Sequence, residues 1–444
     1  MVGLLVNLGM LIKFMIKIIL FFISLLYFTG CSKKSIEIYD LSHIPQNIEF
    51  YTQNLEKNTN ANNYDLYKKS YFSVWNIDKP NTTLKDIKWT FRAFNPTNSY
   101  GENLQPLKQS FFDDMLKNSN FKKYLILNKK AITLRYSNLR AFPTDRPLLR
   151  DPKKAGEGYP FDYLQNSSIL ANKPLFVSHY SNDKNWVYVF TSFASGWLKT
   201  SDIVFLESIT TKIWQDSQHI YITKEGVPLY TSAGDGLYNS KIGMSFLLLE
   251  EDKNNFTVLA IKENGNSKPL YVESIIPKKI AYKGVLNFNK KNINNIIKEI
   301  SKTNYGWGGL YGQRDCSSTM RDYFTPFGIW LPRNSYLQSR KGKVIDLSSL
   351  EDKEKLNIIK KRAIPFKTLL YKRGHILLYV GTFKDEVIAF HNMWGIKTNK
   401  DGIYGRIIVG RPVFSTLEIG KKQENFVKDS TLLKNIRSMN ILAN

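Results

Sequence analysis

Residues 305–309 read Tyr305-Gly306-Trp307-Gly308-Gly309, and residues 314–318 read Arg314-Asp315-Cys316-Ser317-Ser318. Behind the cysteine, Met320, Tyr323, Phe324 and Phe327 recur at i, i+3, i+4 and i+7 spacing. That is the spacing of an amphipathic helix, and it places Cys316 at the helix start. The free N–H groups and the dipole of a helix N-terminus favour a thiolate, so the position predicts a lowered thiol pKa. A thiolate is the attacking species in covalent catalysis. Taken alone, the same pattern also fits a small buried cysteine.

The stretches downstream supply possible partners. Residues 374–381, from Gly374-His375 to Val380-Gly381, read as a strand, and residues 386–394, which include His391, read as the next. A turn centred near Phe383 puts His375 and His391 opposite each other on one face. One histidine then takes the thiol proton while the other orients it. A metal site is the competing reading. No third Cys, His, Asp or Glu follows at ligand spacing, so neither a metal nor a cofactor is expected.

Outward from this core the chain divides into several parts. Its 444 residues are too many for one ordinary domain. An apolar fraction of 43% with 14% aromatics suffices for packed cores. Residues 31–120 mix polar stretches with aromatic clusters, with helix expected near residues 64–75 and 111–121. Residues 121–206 carry short β-runs separated by turns such as Asn172-Lys173-Pro174 and Ser181-Asn182-Asp183. The rhythm recurs over residues 207–282, where Asp252-Lys253-Asn254 echoes Asp183-Lys184-Asn185. Two small tandem β-barrels follow from that repeat. Ile293, Ile296, Ile297 and Ile300 sit at helical spacing. Residues 283–420 form the unit that holds Cys316. The tail, residues 421–444, reads as polar and peripheral.

Sixty-three Lys and Arg against 38 Asp and Glu give a formal charge of +25, spread along the whole chain. No zinc-finger, helix-turn-helix or RNA-binding signature accompanies the charge, so nucleic acid is not an expected partner. Only Cys31 and Cys316 are present, too few for a disulfide framework. Lys13 and Lys17, the apolar run of residues 18–28, and Thr29-Gly30 before Cys31 have the anatomy of an export signal, with residues 1–30 removed. The true start may be read at Met1 or Met10.

Trp307-Gly308-Gly309, Asp315-Cys316-Ser317-Ser318, Leu331-Pro332-Arg333-Asn334-Ser335 and the Gly374-His375 strand together resemble the NlpC/p60 branch of papain-like cysteine peptidases. The two barrels resemble bacterial SH3-like wall-targeting domains. Phe28-Thr29-Gly30-Cys31 resembles a lipobox, which makes Cys31 the lipidated residue. Ser32 after it permits outer-membrane delivery, by similarity to Gram-negative sorting. The resemblance implies a multidomain fold: a partly helical N-terminal segment, two SH3-like β-barrels, and an α+β papain-like peptidase domain. It implies hydrolysis of the γ-D-glutamyl bond to the L-diamino acid in murein peptides, on the periplasmic face of a cell envelope to which the chain is lipid-anchored.

Carried over by position, Cys316 is the nucleophile, His375 the general base and His391 the orienting residue. Tyr305 stands where a family tyrosine holds the oxyanion with the Cys316 backbone N–H. Asp315, Ser317 and Ser335 match positions lining the substrate groove. The first barrel is expected to wall that groove, with Asp162 meeting the free amine of a peptide beginning with L-Ala. A non-enzymatic tether between membrane and wall, and acyl transfer on lipids, are the competing functions.

Overall fold

A computed structural model describes residue 15 and residues 37–55, 64–265 and 268–442. The expected export signal and lipobox, with Lys13, Lys17 and Cys31, and the polar run at residues 56–63 lie outside the described residues. Among the described residues no helix is long and apolar enough to cross a membrane.

The N-terminal segment is helical in pieces, over Tyr39–His43, Ile48–Tyr51, Tyr64–Tyr71 and Gln109–Asn118. It staples two other parts of the fold. Ile44 and Ile48 join the core of the Cys316 unit, and Thr52 donates to Asn294 at 2.8 Å. Tyr67, Tyr71, Phe72 and Trp75 instead share a core with Ile132, Phe176 and Trp197 of the first barrel and Trp214 and Tyr221 of the second. Trp75 is fully buried and its indole N–H donates to the Ala131 carbonyl at 3.0 Å. Tyr71 likewise keeps its polar tip paired, its hydroxyl donating to the Asn172 carbonyl at 3.1 Å.

The two barrels form as the turn signals predict. The first has seven antiparallel strands between Lys129–Thr133 and Ile203–Phe205, closed over Leu139, Ile169, Val177, Val187 and Leu198. The second has a five-stranded sheet over Ile220, Phe246, Val258 and Ile276. The Asp-Lys-Asn echo marks equivalent hairpin turns. Asp183 Oδ1 accepts from Asn185 N–H at 3.0 Å, and Asp252 Oδ1 from Asn254 N–H at 2.6 Å. Both are local aspartate turns, which is why the spacing repeats.

The third unit is a six-stranded antiparallel sheet in the order Lys343–Asp346, Ile436–Ile441, Thr368–Lys372, His375–Phe383, Glu386–Lys400, Ile403–Thr416. The helices Lys290–Ser301 and Cys316–Phe324 bury Ile293, Ile296, Ile297, Ile300, Met320, Tyr323 and Phe324 with Ile376, Leu378, Ile388 and Phe390 of the sheet. The expected peripheral tail is corrected here. Ile436–Ile441 lies inside the sheet, paired on both sides, with Met439 fully buried. Its pattern is broken by Arg437, Ser438 and Asn440, and the fully buried Asn440 donates to the Lys341 carbonyl at 2.8 Å. A buried polar residue in a core strand, here paired through its amide nitrogen, hides the strand from a hydrophobicity reading.

The second barrel is locked to the Cys316 unit by one buried arginine. Arg314, 3% exposed, meets Glu225 at 2.6 Å and Asp322 at 2.7 Å. Replacing it with methionine removes the nearest cation from two buried carboxylates, which keep only the longer contacts of Glu225 to Lys241 at 3.3 Å and of Asp322 to Arg321 at 3.5 Å. Arg314→Met is therefore expected to cost about 3–5 kcal/mol, read as a lowered denaturant midpoint. A loss under about 1 kcal/mol would contradict this.

Candidate active site

Asp315 caps the helix that begins at Cys316. Its Oδ1 accepts from the Ser318 N–H at 2.8 Å, while the Ser318 hydroxyl accepts from the Asp315 N–H at 2.9 Å. This reciprocal box fixes the chain direction at Cys316. Arg333, 7% exposed, then clamps the cap from outside. It donates to Asp315 Oδ2 at 2.6 Å, to the Ser317 hydroxyl at 2.8 Å and to Ser167 of the first barrel at 2.8 Å. Gln338 adds a donor to the Ser317 carbonyl at 2.8 Å. Asp315 and Ser317, expected to line the groove, thus spend their polar atoms holding Cys316. Ser335 begins a short helix and is half-buried.

The Gly-Gly pair upstream has a steric cause. Gly308 and Gly309 both have positive φ, and added Cβ atoms would sit 2.4 Å from the Gln165 carbonyl and 2.3 Å from the Ser168 hydroxyl. The loop runs directly against the first barrel, and only glycine fits. That contact places Trp307 5.2 Å from both Phe161 and Tyr163 of the barrel. Phe161 also meets Trp394, and lines a groove of about 460 Å³ with Tyr305, Lys372, His375, Trp394 and Arg406.

The barrel does wall the groove, but with Phe161 in place of Asp162. The Asp162 carboxylate is 2.6 Å from Arg140 and accepts from the N–H groups of Leu148 and Leu164. Both of its oxygens are committed, so it is a structural group. Two carboxylates stand at the groove: Asp429 on its wall, paired with Lys434, and Glu157, next to the lining residue Gly156 and accepting from the Tyr163 hydroxyl at 2.7 Å.

The thiol of Cys316 is 8% exposed. The Ile376 N–H reaches it from the sheet, one residue from His375. The expected low thiol pKa is corrected. Burial, and then the Asp315 carboxylate, push it up to about 12. The N–H groups of Ile376 and Ser317 and the charge of Arg333 act the other way but do not win. Desolvation of a sulfur anion outweighs one helix terminus.

His375 and His391 do meet, through a different register from the one expected. The hairpin turn is Lys384-Asp385, both with positive φ, and a bulge at Val380 shifts the pairing to Leu378↔Phe390. The histidines are therefore offset by two residues, diagonal neighbours on one face. His375 Nε2 lies 2.8 Å from His391 Nδ1. His391 is fully buried, and its Nε2 lies 2.9 Å from the Ser415 hydroxyl. Ser415 donates its own proton to the Thr416 carbonyl at 2.8 Å.

This last bond favours one arrangement of protons. With the Ser415 proton on the Thr416 carbonyl, Ser415 accepts from His391 Nε2–H, His391 Nδ1 accepts from His375 Nε2–H, and His375 Nδ1 keeps the free lone pair. Burial drives the His375 pKa well below its ordinary value, with His391 and Lys372 adding to the shift. Burial thus favours the neutral form of both thiol and imidazole.

Tyr305 is half-buried in the same groove, near enough to Cys316 for its phenol to feel a charge on the sulfur. Among the described residues no cluster of three His, Cys, Asp or Glu could hold a metal. Sequence reading gave no role to Arg333, Phe161, Lys372 or Ser415. Arg333 stands inside a quoted motif, but Ser415 lies in a strand with no chemical signature of its own.

Family models match four stretches of the chain. Residues 18–124 match the NLPC_P60 stabilising domain, residues 147–199 an SH3 domain of SH3b1 type, residues 211–253 an SH3 domain of SH3b2 type, and residues 302–400 the NlpC/P60 family. A search of curated proteins gives no match. Among solved structures, an NlpC/P60 endopeptidase from Photobacterium damselae subsp. piscicida is similar at 23% identity. It covers 90% of this chain and 97% of its own, with a TM-score of 0.79, which shows the shared fold. An NlpC/P60 family protein from Bacillus cereus ATCC 10987 is 16% identical over 62% of this chain and 81% of its own, with a TM-score of 0.43.

Proposed function

The chain carries an NlpC/P60 domain behind that family's stabilising segment and two bacterial SH3 domains, and from this premise we propose that it is a cysteine peptidase that cuts murein stem peptides at the γ-D-glutamyl bond to the L-diamino acid. The observation that carries the proposal is the hydrogen-bonded chain from His375 through His391 and Ser415 to the Thr416 carbonyl, starting one residue from Ile376, whose N–H reaches the sulfur of Cys316. A structural cysteine has no use for a base whose tautomer is fixed two residues deep.

In the proposed reaction the Cys316 proton passes to His375 Nδ1 as the sulfur attacks the scissile carbonyl. The Cys316 backbone N–H and the Tyr305 hydroxyl receive the oxyanion. Collapse breaks the C–N bond, and His375 returns the proton to the leaving amine. Water then attacks the thioester, with His375 as base, and Cys316 is restored. A groove walled by Phe161 and Trp394 suits a trimmed peptide better than a glycan-linked strand. Recognition of a free L-Ala amine falls to Glu157, since Asp162 is committed to Arg140. Lipid attachment at Cys31 and placement on the periplasmic face of an outer membrane belong to the same proposal, and globomycin-sensitive labelling by palmitate tests them.

Ser415 provides a separate test of the mechanism. In Ser415→Ala the His391 Nε2–H loses its acceptor, and the tautomer order is no longer enforced. The expected loss in kcat is about tenfold to a hundredfold, the worth of one hydrogen bond that strengthens as charge develops. A steady-state assay with a stable, folded variant reads it. Wild-type kcat in Ser415→Ala would remove the proton chain from the mechanism.

A further inference from the structure

His375 is both base and acid in this reaction, so the leaving nitrogen must come beside it. Whatever flanks His375 therefore faces the leaving fragment. The strands Thr368–Lys372 and His375–Phe383 join through the two-residue turn Arg373-Gly374, which pairs Lys372 directly across from His375. Directly paired side chains share a face, with Cβ atoms about 5 Å apart. Lys372 is half-buried and lines the groove, and its ammonium has no hydrogen-bond or ion-pair partner among the described residues.

Two more cations line the same groove. Arg406 packs on Gly156, where an added Cβ would come 2.9 Å from its Nε. Lys397 lies over the Tyr404 ring at 4.3 Å. The acidic groups nearby do not cancel them. Asp429, on the groove wall, is paired with Lys434 at 2.5 Å, and Glu157 offsets part of the Arg406 charge. Lys372 is left as the uncompensated cation beside the catalytic histidine. A half-buried amine without a partner is costly, which suits a site completed by an anion.

We propose that Lys372, supported by Arg406 and Lys397, forms a carboxylate-binding subsite for the leaving fragment, selecting an amino-acid residue with free carboxylates near the released amine. The carboxylate of an α-amino acid lies two bonds from that nitrogen, within the span from His375 to Lys372. The inference rests on the peptidase reading above, which supplies His375 as the group that protonates the leaving amine.

The test uses the full chain and two peptides: L-Ala-γ-D-Glu-meso-diaminopimelate, and the same peptide with both diaminopimelate carboxylates amidated. Wild type is expected to favour the free acid by tenfold or more in kcat/KM, mainly through KM. Lys372→Met brings that ratio close to one, and Lys372→Arg restores most of it. Calorimetry with the Cys316→Ala protein shows the same order of affinities. Equal cleavage of the two peptides by wild type, or an equal loss on both in Lys372→Met, overturns the subsite and leaves the peptidase reading intact. If wild type cleaves neither peptide while Cys316→Ala still binds the free acid preferentially, the subsite stands and the peptidase reading fails.

Discussion

Replacing Cys316 with alanine is expected to lower peptide hydrolysis by at least about 10⁴-fold, to the background of binding alone. The reasoning starts at the helix. Asp315, Ser318, Arg333 and Gln338 fix the start of Cys316–Phe324 without using the sulfur. The variant therefore keeps its cap, its clamp and its groove. What it loses is the atom that forms the thioester, and no neighbouring side chain can replace it. The Ser317 hydroxyl donates to Asp315 and accepts from Arg333, so it is not a substitute nucleophile. A purified variant with wild-type thermal stability and no turnover is the predicted outcome. Turnover above about 1% of wild type would remove Cys316 from the chemistry.

The second large effect is on stability, and it follows from histidines buried in the neutral form. His179, His219 and His391 are each 0% exposed. His179 sits between the Ser178 hydroxyl and the Ser119 carbonyl, His219 between the Ser245 hydroxyl and the Trp214 carbonyl. Burial lowers their pKa values to about 4, about 4 and, for His391, about 3. An unfolded chain titrates its histidines near 6.5. As pH falls below that value the unfolded state takes up protons that the native state refuses, so acid favours unfolding. Stability is complete above about pH 6.5 and declines as pH drops toward 4. Between pH 7 and pH 5 each site contributes a loss of about 2 kcal/mol, so the three together cost on the order of 5 kcal/mol. Urea unfolding at the two pH values reads the difference directly. A constant midpoint would mean that these histidines are solvated or charged in the native protein. Activity follows the same sign: the base works above the His375 pKa, which lies below 6.5, so kcat/KM holds through neutral pH and falls only in acid.

The nucleophile's helix, the paired histidine strands and the tandem barrels were legible because each rests on local periodicity or turn chemistry. Cys316 stands at a helix start because Met320, Tyr323 and Phe324 must face a core. The barrel echo was legible because Asp183 and Asp252 each build the same aspartate turn. What escaped depends on contacts distant in sequence. The register of His375 and His391 turned on one bulge at Val380 and a two-residue turn that the residues alone do not announce. The thiol pKa turned on burial, which competes with the helix terminus and prevails. Asp162 was placed in the groove by resemblance alone; the structure gives that place to its neighbour Phe161, while Arg140 and the N–H groups of Leu148 and Leu164 hold the Asp162 carboxylate. The strand Ile436–Ile441 was hidden by the buried polar Asn440, whose partners lie about a hundred residues upstream.

The central claim is that this Cys–His–His site cuts murein peptides between D-glutamate and the diamino acid. Mass spectrometry of L-Ala-γ-D-Glu-meso-diaminopimelate after incubation with the purified chain tests it most directly. Two products are predicted, L-Ala-D-Glu and free diaminopimelate, and neither with Cys316→Ala. An intact tripeptide, or cleavage at another bond, would contradict it.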